Sequence, residues 1–307
     1  MSAETIADDI SRPFQLEQSA LRGRLIRLGE TVDVVLTRHD YPPRVSHLLG
    51  EMFVLAATLA GGLKFEGTFS LQTRSQGPIS LMVADCTHDG AMRGYAKFDA
   101  EAVAAADAAT VPALLGEGHF AVTVDQDHNQ GGAYQGLVEL DGNSLTDCMQ
   151  KYFRQSEQVK TGMKIAVQHV PDAAGTVWRA GAIMVQCLPD EDKESNGSKT
   201  LEDWRRTMLL LGTVNDVELV DPNLAPETLL LRLFHEEGVR VFDPQSLRFR
   251  CRCSRERVEA LLRRFKTSDI EDMKQDDGSL VVTCEFCNQR YGFEETAVAD
   301  ILGTTRH

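Results

Sequence analysis

No stretch of the 307-residue sequence is apolar for long enough to cross a bilayer, which takes about 20 consecutive residues. That absence speaks against an integral membrane protein. The first twelve residues hold Glu4, Asp8 and Asp9 and lack a basic segment followed by an apolar one. A secretory signal is therefore not expected, and the cytosol is the expected compartment. Positive charge is in short supply: 32 Lys+Arg stand against 46 Asp+Glu, a formal net charge of -14. A general nucleic-acid binder draws much of its affinity from neutralising phosphates, so this balance argues against one. Internal repeats and low-complexity tracts are missing. So are a Ser/His/Asp order, a phosphate loop and any pair of histidines at metal-ligand spacing among the eight present. These gaps point away from an enzyme.

What is present reads as an ordinary α+β protein. Apolar residues make up 42% and charged residues 25%, enough to bury a sizeable core, and the length suits two or more domains. Leu63, Phe65, Phe69 and Leu71 alternate with polar residues, as do Phe120, Val122 and Val124, and again Met163, Ile165 and Val167. Each run predicts a half-buried strand, with Gly67 marking a bulge. Val45, Leu48, Leu49, Met52, Leu55 and Leu59 form one helical stripe. Ser144 is placed to cap a second helix lined by Leu145, Cys148, Met149, Tyr152 and Phe153. Gly61-Gly62 and Gly131-Gly132 read as turns.

The polar run from Asp190 to Lys199 is the best domain boundary. This gives a mixed sheet-and-helix core domain over 1–190, a helical linker over 191–238 and a small C-terminal domain over 239–307. In the linker, Leu201, Trp204, Met208 and Leu211 form one stripe. Pro226 can open another helix, lined by Leu230, Leu233 and Phe234 and closed at Gly238. These helices are apolar enough to need a partner surface. The last segment has little core of its own, and domains so small commonly rely on a metal or on disulfides.

Four of the seven cysteines supply that need. Cys251 and Cys253 stand two apart, and Cys284 and Cys287 follow thirty intervening residues later. In a reducing compartment two close pairs point to metal binding or redox chemistry, and four thiolates suit a closed tetrahedral zinc site. Leu280 to Val282 and Tyr291 to Phe293 read as hairpin strands flanking the second pair. Ser254 is a good N-cap for a helix lined by Val258, Leu261, Leu262 and Phe265, so Cys253 lies just outside a helix N-terminus. The helix dipole and Arg250, Arg252, Arg255 and Arg257 favour its thiolate. Spacing leaves open whether the centre is a permanent zinc staple, a switch or a set of disulfides. A bridge within Cys-Arg-Cys would constrain the unfolded chain by only about 1.5 kcal/mol in the entropic account. Structural zinc is worth roughly 10–16 kcal/mol in finger peptides. Exchange of zinc for such bridges is therefore expected to unfold the segment. Cys86, Cys148 and Cys187 stand alone, Cys148 as a core residue.

The segments CRCSRERVEALLRRF and CEFCNQRYGF resemble the redox-switch domain of the Hsp33 family. HDYP at 39–42, LKFEG at 63–67, MRG at 92–94, YQG at 134–136, YFRQSEQ at 152–158 and FHEEGVRVFDPQ at 234–245 resemble family segments in the same order. The resemblance implies an ATP-independent holdase, inactive while Cys251, Cys253, Cys284 and Cys287 hold one zinc ion in the reduced state. It implies oxidation to Cys251–Cys253 and Cys284–Cys287 disulfides, zinc release, and disorder of the switch domain and linker. Unfolding client proteins are then bound, with homodimers as the active form and ATP-dependent foldases receiving the clients. Cys86, Cys148 and Cys187 fall outside the family motif, which leaves side disulfides open under strong oxidation.

Two other readings compete. A zinc-ribbon nucleic-acid binder would use the cluster of Arg248, Arg250, Arg252, Arg255, Arg257, Arg263 and Arg264, which reads otherwise as a solvated helix face with thiolate neutralisation. A thiol-disulfide oxidoreductase would use Cys284 and Cys287, yet that pair lies in a hairpin and not at a helix start after a strand. His39, His235, Asp40, Arg93 and Glu236 read as capping or packing residues.

Overall fold

The computed structural model describes residues 8–19, 21–126, 134–172, 175–187 and 197–303. Gly131-Gly132 and the polar run up to residue 196 lie outside them. The chain divides into two compact units, Met1–Phe249 and Arg250–His307. Among the described residues no helix is long and apolar enough to cross a membrane.

The first half of the large unit runs β1 (Ile10–Leu16), β2 (Leu21–Leu28), α1 (Glu30–Thr37), α2 (Pro43–Ala60), β3 (Gly67–Ser75), β4 (Ile79–Thr87), β5 (Ala91–Phe98), α3 (Ala100–Ala105) and α4 (Val111–Leu114). It continues through β6 (Gly118–Gln126), β7 (Tyr134–Glu139), α5 (Leu145–Tyr152), β8 (Thr161–Asp172), β9 (Gly175–Cys187), α6 (Gly197–Gly212), α7 (Asp216–Val220), α8 (Pro226–Phe234), β10 (Val239–Val241), β11 (Gln245–Ser246) and β12 (Arg248–Phe249). One sheet has the order β10-β1-β2-β9-β8, with β11 also on β1; the other has the order β12-β5-β4-β3-β6-β7. All pairings are antiparallel except β12 with β5.

Helix α2 packs against strands of both sheets. Pro43 opens it, where a missing N–H costs nothing. From Val45 on it is apolar nearly all round, and Leu49, Met52, Phe53, Val54, Leu55 and Ala56 are fully buried. The stripe seen in the sequence is thus part of a helix with almost no wet face. The packing is close enough to dictate sequence: a Cβ on Gly94 would lie 2.5 Å from the Phe53 ring and 2.3 Å from the Val83 carbonyl. Tyr41, just before α2, accepts a 3.1 Å bond from the Ala96 N–H.

The predicted strands at Phe120–Val124 and Met163–Val167 form within β6 and β8. The first run begins later than expected. Leu63 and Phe65 precede β3, and Leu63 is 49% exposed. Gly67 is no interior bulge but the first residue of the strand, at φ +139°, a conformation other residues rarely adopt.

Helices α6 to α8 find their partner surface on the first sheet. Phe14, Leu16, Leu21, Leu25, Ile183 and Val185 project from it onto Leu211, Leu219, Leu229, Leu230, Leu233 and Phe234. Each such side chain withdrawn from water contributes roughly 1.5–3 kcal/mol. Helix α8 starts at Pro226 and its 3₁₀ extension ends at Gly238, φ +68°, as the sequence predicts. Helix α7, capped reciprocally by Asn215 and Glu218, was not anticipated, being too short to show a period. Residues 239–249, grouped with the small domain on sequence grounds, form strands that pair within the large unit.

The small unit contains α9 (Arg255–Leu262), α10 (Thr267–Asp272), β13 (Leu280–Thr283), β14 (Arg290–Phe293) and α11 (Glu295–Gly303). Its core is Val258, Leu262, Ile270, Leu280, Phe293, Val298 and Ile301. That is little apolar mass for a folding unit, which turns attention to its cysteines.

Candidate metal centre

The backbone delivers the four cysteines from two places. Cys251 and Cys253 lie in the irregular stretch before α9, whose N-cap Ser254 accepts from the Arg257 N–H. Cys284 and Cys287 lie in the turn joining β13 to β14. The Cys284 N–H donates to the Gln289 carbonyl at 2.9 Å, the Asn288 N–H donates to the Cys284 carbonyl at 2.8 Å, and Asn288 takes φ +58°. The tight turn aims both sulfurs to one side.

All four Sγ atoms lie within 4.8 Å of one another, the sole such group among the described residues. Cys251 Sγ is 3.7 Å from Cys284 Sγ, and Cys253 Sγ is 3.3 Å from Cys287 Sγ. A tetrahedron with metal–sulfur bonds of about 2.3 Å has edges of about 3.8 Å. The donor set therefore fits one tetrahedral ion of soft preference with no open position. The Cys253 N–H donates to the Cys251 sulfur and the Gln289 N–H to the Cys287 sulfur, an arrangement suited to anionic sulfur.

The thiols are not equivalent. Burial pushes Cys253 up, but hydrogen bonds from Tyr291 and the neighbouring thiols outweigh it and bring it down to about 7. Cys251 and Cys287 are raised, in both cases mainly by burial. The sequence singles out Cys253 for its helix start and its arginines. Two of those arginines are engaged elsewhere. Arg255 donates to the Gly292 carbonyl at 2.8 Å and stacks 4.4 Å over Phe293, while Arg257 donates to the Arg252 carbonyl at 2.6 Å. They fasten α9 to the hairpin and to the stretch that leads into it. The donor that the sequence reading missed is Tyr291, whose hydroxyl stands 3.1 Å from Cys253 Sγ. Strand alternation offered a signal, because Tyr291 shares a face with the buried Phe293.

The remaining candidates are structural. Cys148 is buried, and burial pushes its thiol up to about 11; Cys86 is likewise raised, to about 12. Neither is an available nucleophile at neutral pH. Cys187 is partly buried. Arg93 pairs with Asp85 at 2.8 Å, His39 stacks on Tyr41, Asp40 takes φ +48°, and His235 and Glu236 are exposed in the turn after α8.

A profile of the family described as "Hsp33 protein" matches residues 9–294. The 33 kDa chaperonin of Caulobacter vibrioides (strain NA1000 / CB15N) is 39% identical over 290 residues, covering 93% of this chain and 95% of that protein. The 33 kDa chaperonin of Azotobacter vinelandii is 40% identical over 295 residues, covering 96% and 94%. The crystal structure of the 33 kDa chaperonin from Thermotoga maritima superposes with a TM-score of 0.74, over 96% of this chain and 98% of that one, at 22% identity. That likeness establishes the mixed α+β fold. The relatives bear the name of a chaperone, not of an enzyme. The chain belongs to the Hsp33 family of chaperones.

Proposed function

We propose that this chaperone is an ATP-independent holdase switched by the oxidation state of Cys251, Cys253, Cys284 and Cys287. The observation that carries the reading is the convergence of four sulfurs within 4.8 Å in a unit with so small an apolar core. In the reduced state these thiolates would hold one zinc ion, which supplies the cross-link the core lacks. Two molecules of peroxide take four electrons from the four thiolates. Two disulfides form, Cys251–Cys253 and Cys284–Cys287, and with four protons the peroxide oxygens leave as four waters. The sulfurs then have no thiolate left to offer, and the metal is released. Bridges closing loops of three and four residues constrain the chain by only about 1.5–2 kcal/mol each. Zinc binding is worth several times more, so oxidation unfolds the unit.

The division into a core over 1–190, a linker over 191–238 and a switch over 239–307 belongs to the same proposal. Loss of the linker helices would uncover Phe14, Leu16, Leu21 and Leu25 for unfolding clients. Homodimers in the cytoplasm, handing clients to ATP-dependent foldases, complete the reading.

The test measures zinc content and suppression of a denatured protein's aggregation before and after peroxide. One zinc per reduced chain, its loss on oxidation, and suppression only afterwards are expected. Zinc retained through oxidation, or equal suppression in both states, would reject the switch.

A further inference from the structure

One patch of the first sheet serves neither the core nor the metal centre. Side chains alternate along β2: Leu21 and Leu25 pack against α6 to α8, while Ile26 and Leu28 join the core around α2. Arg22 and Arg24 share the face of Ile26 and Leu28, and α2 stops at Ala60 with Arg22 still exposed. The strand register lays two rows across that face. Gln15 and Gln186 lie opposite Arg22, and Arg240 lies opposite Gln15. Pro13 and Met184 lie opposite Arg24, and the N–H of the exposed Phe242 donates to the Pro13 carbonyl at 3.0 Å. Neither row contains an Asp or a Glu. A depression of about 330 Å³ opens over them, lined by Arg22, Arg24, Gln15, Gln186, Met184 and Phe242 among others.

The arginines lack counter-charges. Among the described residues Arg22 and Arg240 make no ion pair, and Arg240 stacks over the Phe242 ring at 5.4 Å. Arg24 donates to two neutral oxygens, the Gly61 carbonyl and, at 3.0 Å, the Ser11 hydroxyl. Burial and then the charge of Arg22 lower its pKa, with no acidic neighbour acting against them. Closing α2 at Gly61 gives Arg24 a structural task. It gives Arg22 and Arg240 none. A chain with a net charge of -14 thus gathers three guanidinium groups without a carboxylate on one patch of sheet.

The chemistry of the lining names the ligand. Guanidinium groups pair with phosphate oxygens through two parallel hydrogen bonds. Met184 and Phe242 add apolar and aromatic surface beside them, and cavities upward of roughly 300 Å³ hold small organic molecules. We propose that this depression binds a nucleoside phosphate, with its phosphates on Arg22 and Arg24 and its base against Phe242 and Met184. The lining holds no carboxylate or histidine to serve as a base, so the ligand is held unchanged. At physiological salt, charges more than about 8 Å apart are largely screened, so the local arginines outweigh the protein's overall charge. The inference goes beyond the holdase reading and does not depend on the thiol switch.

The test titrates the full-length protein with ADP by isothermal calorimetry, with adenosine and inorganic pyrophosphate as separate arms. ADP is expected to bind about tenfold more tightly than either fragment, because only ADP engages both halves of the site. Arg22→Glu should weaken ADP and pyrophosphate by about tenfold or more, as the loss of a charge-assisted hydrogen bond does. Phe242→Ala should weaken ADP by about fivefold and leave pyrophosphate unchanged. Both positions are exposed, so the variants keep their fold, checked by circular dichroism. No heat with ADP, adenosine bound as tightly as ADP, or an affinity that Arg22→Glu does not change would overturn the proposal. Pyrophosphate bound as tightly as ADP, with Phe242→Ala silent, would reduce the patch to an inorganic-anion site and overturn it too. So would a single-stranded oligonucleotide that displaces ADP and binds far more tightly, which would assign the patch to nucleic acid.

Discussion

The hydroxyl of Tyr291 donates to the sulfur of Cys253 across 3.1 Å, joining β14 to the irregular stretch before α9. Tyr291 is itself raised by that bond, as a donor to an anionic acceptor should be. The phenol leads the donors, with the neighbouring thiols, that make Cys253 acidic against the pull of burial. Two residues far apart in the chain thereby set the readiness of one sulfur to give up its proton.

Tyr291→Phe keeps the ring and removes the donor. Protons then compete better for Cys253. Outer partners of metal ligands typically govern affinity by 10–100-fold. Apparent zinc affinity at pH 7, read by competition with a chromophoric chelator, is expected to fall about tenfold. The deficit should shrink above pH 9, where the thiol ionises without help. An affinity equal to the parent's at pH 7 would show that Tyr291 does not support the thiolate.

Cys86 and Cys148 set the contrast. Burial raises both thiols, to about 12 and about 11. Native protein treated with iodoacetamide at pH 7 and mapped by mass spectrometry should leave both unmodified, while zinc-stripped protein reacts at the paired cysteines. Labelling of Cys86 or Cys148 at comparable rates would mean that the large unit opens readily. The same burial excludes them from side disulfides as long as that unit stays folded.

The paired cysteines were legible because spacing alone constrains chemistry: two close pairs of thiols can converge on one ion wherever the intervening chain goes. Ser144, Ser254, Pro226 and Gly238 were legible because caps and stops are local. Tyr291 was not singled out because its role depends on β14 crossing the path of residues 251–253, a tertiary fact. The pairing of residues 239–249 with strands of the large unit was hidden for the same reason. Val239–Val241 pairs with Phe14–Leu16, more than two hundred residues away, and no local pattern announces that register.

Arg27 illustrates a polar residue that sequence reading passes over. It is fully buried, and its guanidinium donates to the carbonyls of Asp221 at 2.7 Å and Leu224 at 2.5 Å. Arg179 adds a 2.8 Å bond to the Val220 carbonyl. Together they satisfy the carbonyls just after α7 and hold the helical segment on its sheet. Arg27→Met preserves bulk and leaves those acceptors dry, at a cost of about 2–4 kcal/mol. Limited proteolysis should then cut the 212–225 region at least tenfold faster, with the sheets still protected. Cleavage at the parent's rate would show that apolar contacts alone retain the helices.

Glu51, on α2, makes stability depend on pH. One carboxylate oxygen is buried without a hydrogen-bond partner, the other group in reach is the Leu145 N–H, and Asp147 lies near. His47 Nδ1 stands 3.6 Å away, but burial lowers that imidazole's pKa and so weakens it as a counter-charge. Burial above all raises Glu51 from 4.5 to about 7. Below pH 4.5 both folded and unfolded chains hold the proton, and the protein has its full stability. Between 4.5 and about 7 the unfolded chain has released the proton and the folded one has not, so stability falls as pH rises; above 7 the loss is complete. At 1.36 kcal/mol per unit the loss is about 3 kcal/mol. Glu51→Gln carries no such proton. Urea unfolding should find the variant and parent alike near pH 4 and the variant about 2–3 kcal/mol more stable at pH 8. A difference that does not change with pH would mean that Glu51 titrates alike in the folded and unfolded chains, with water reaching the oxygen that has no partner.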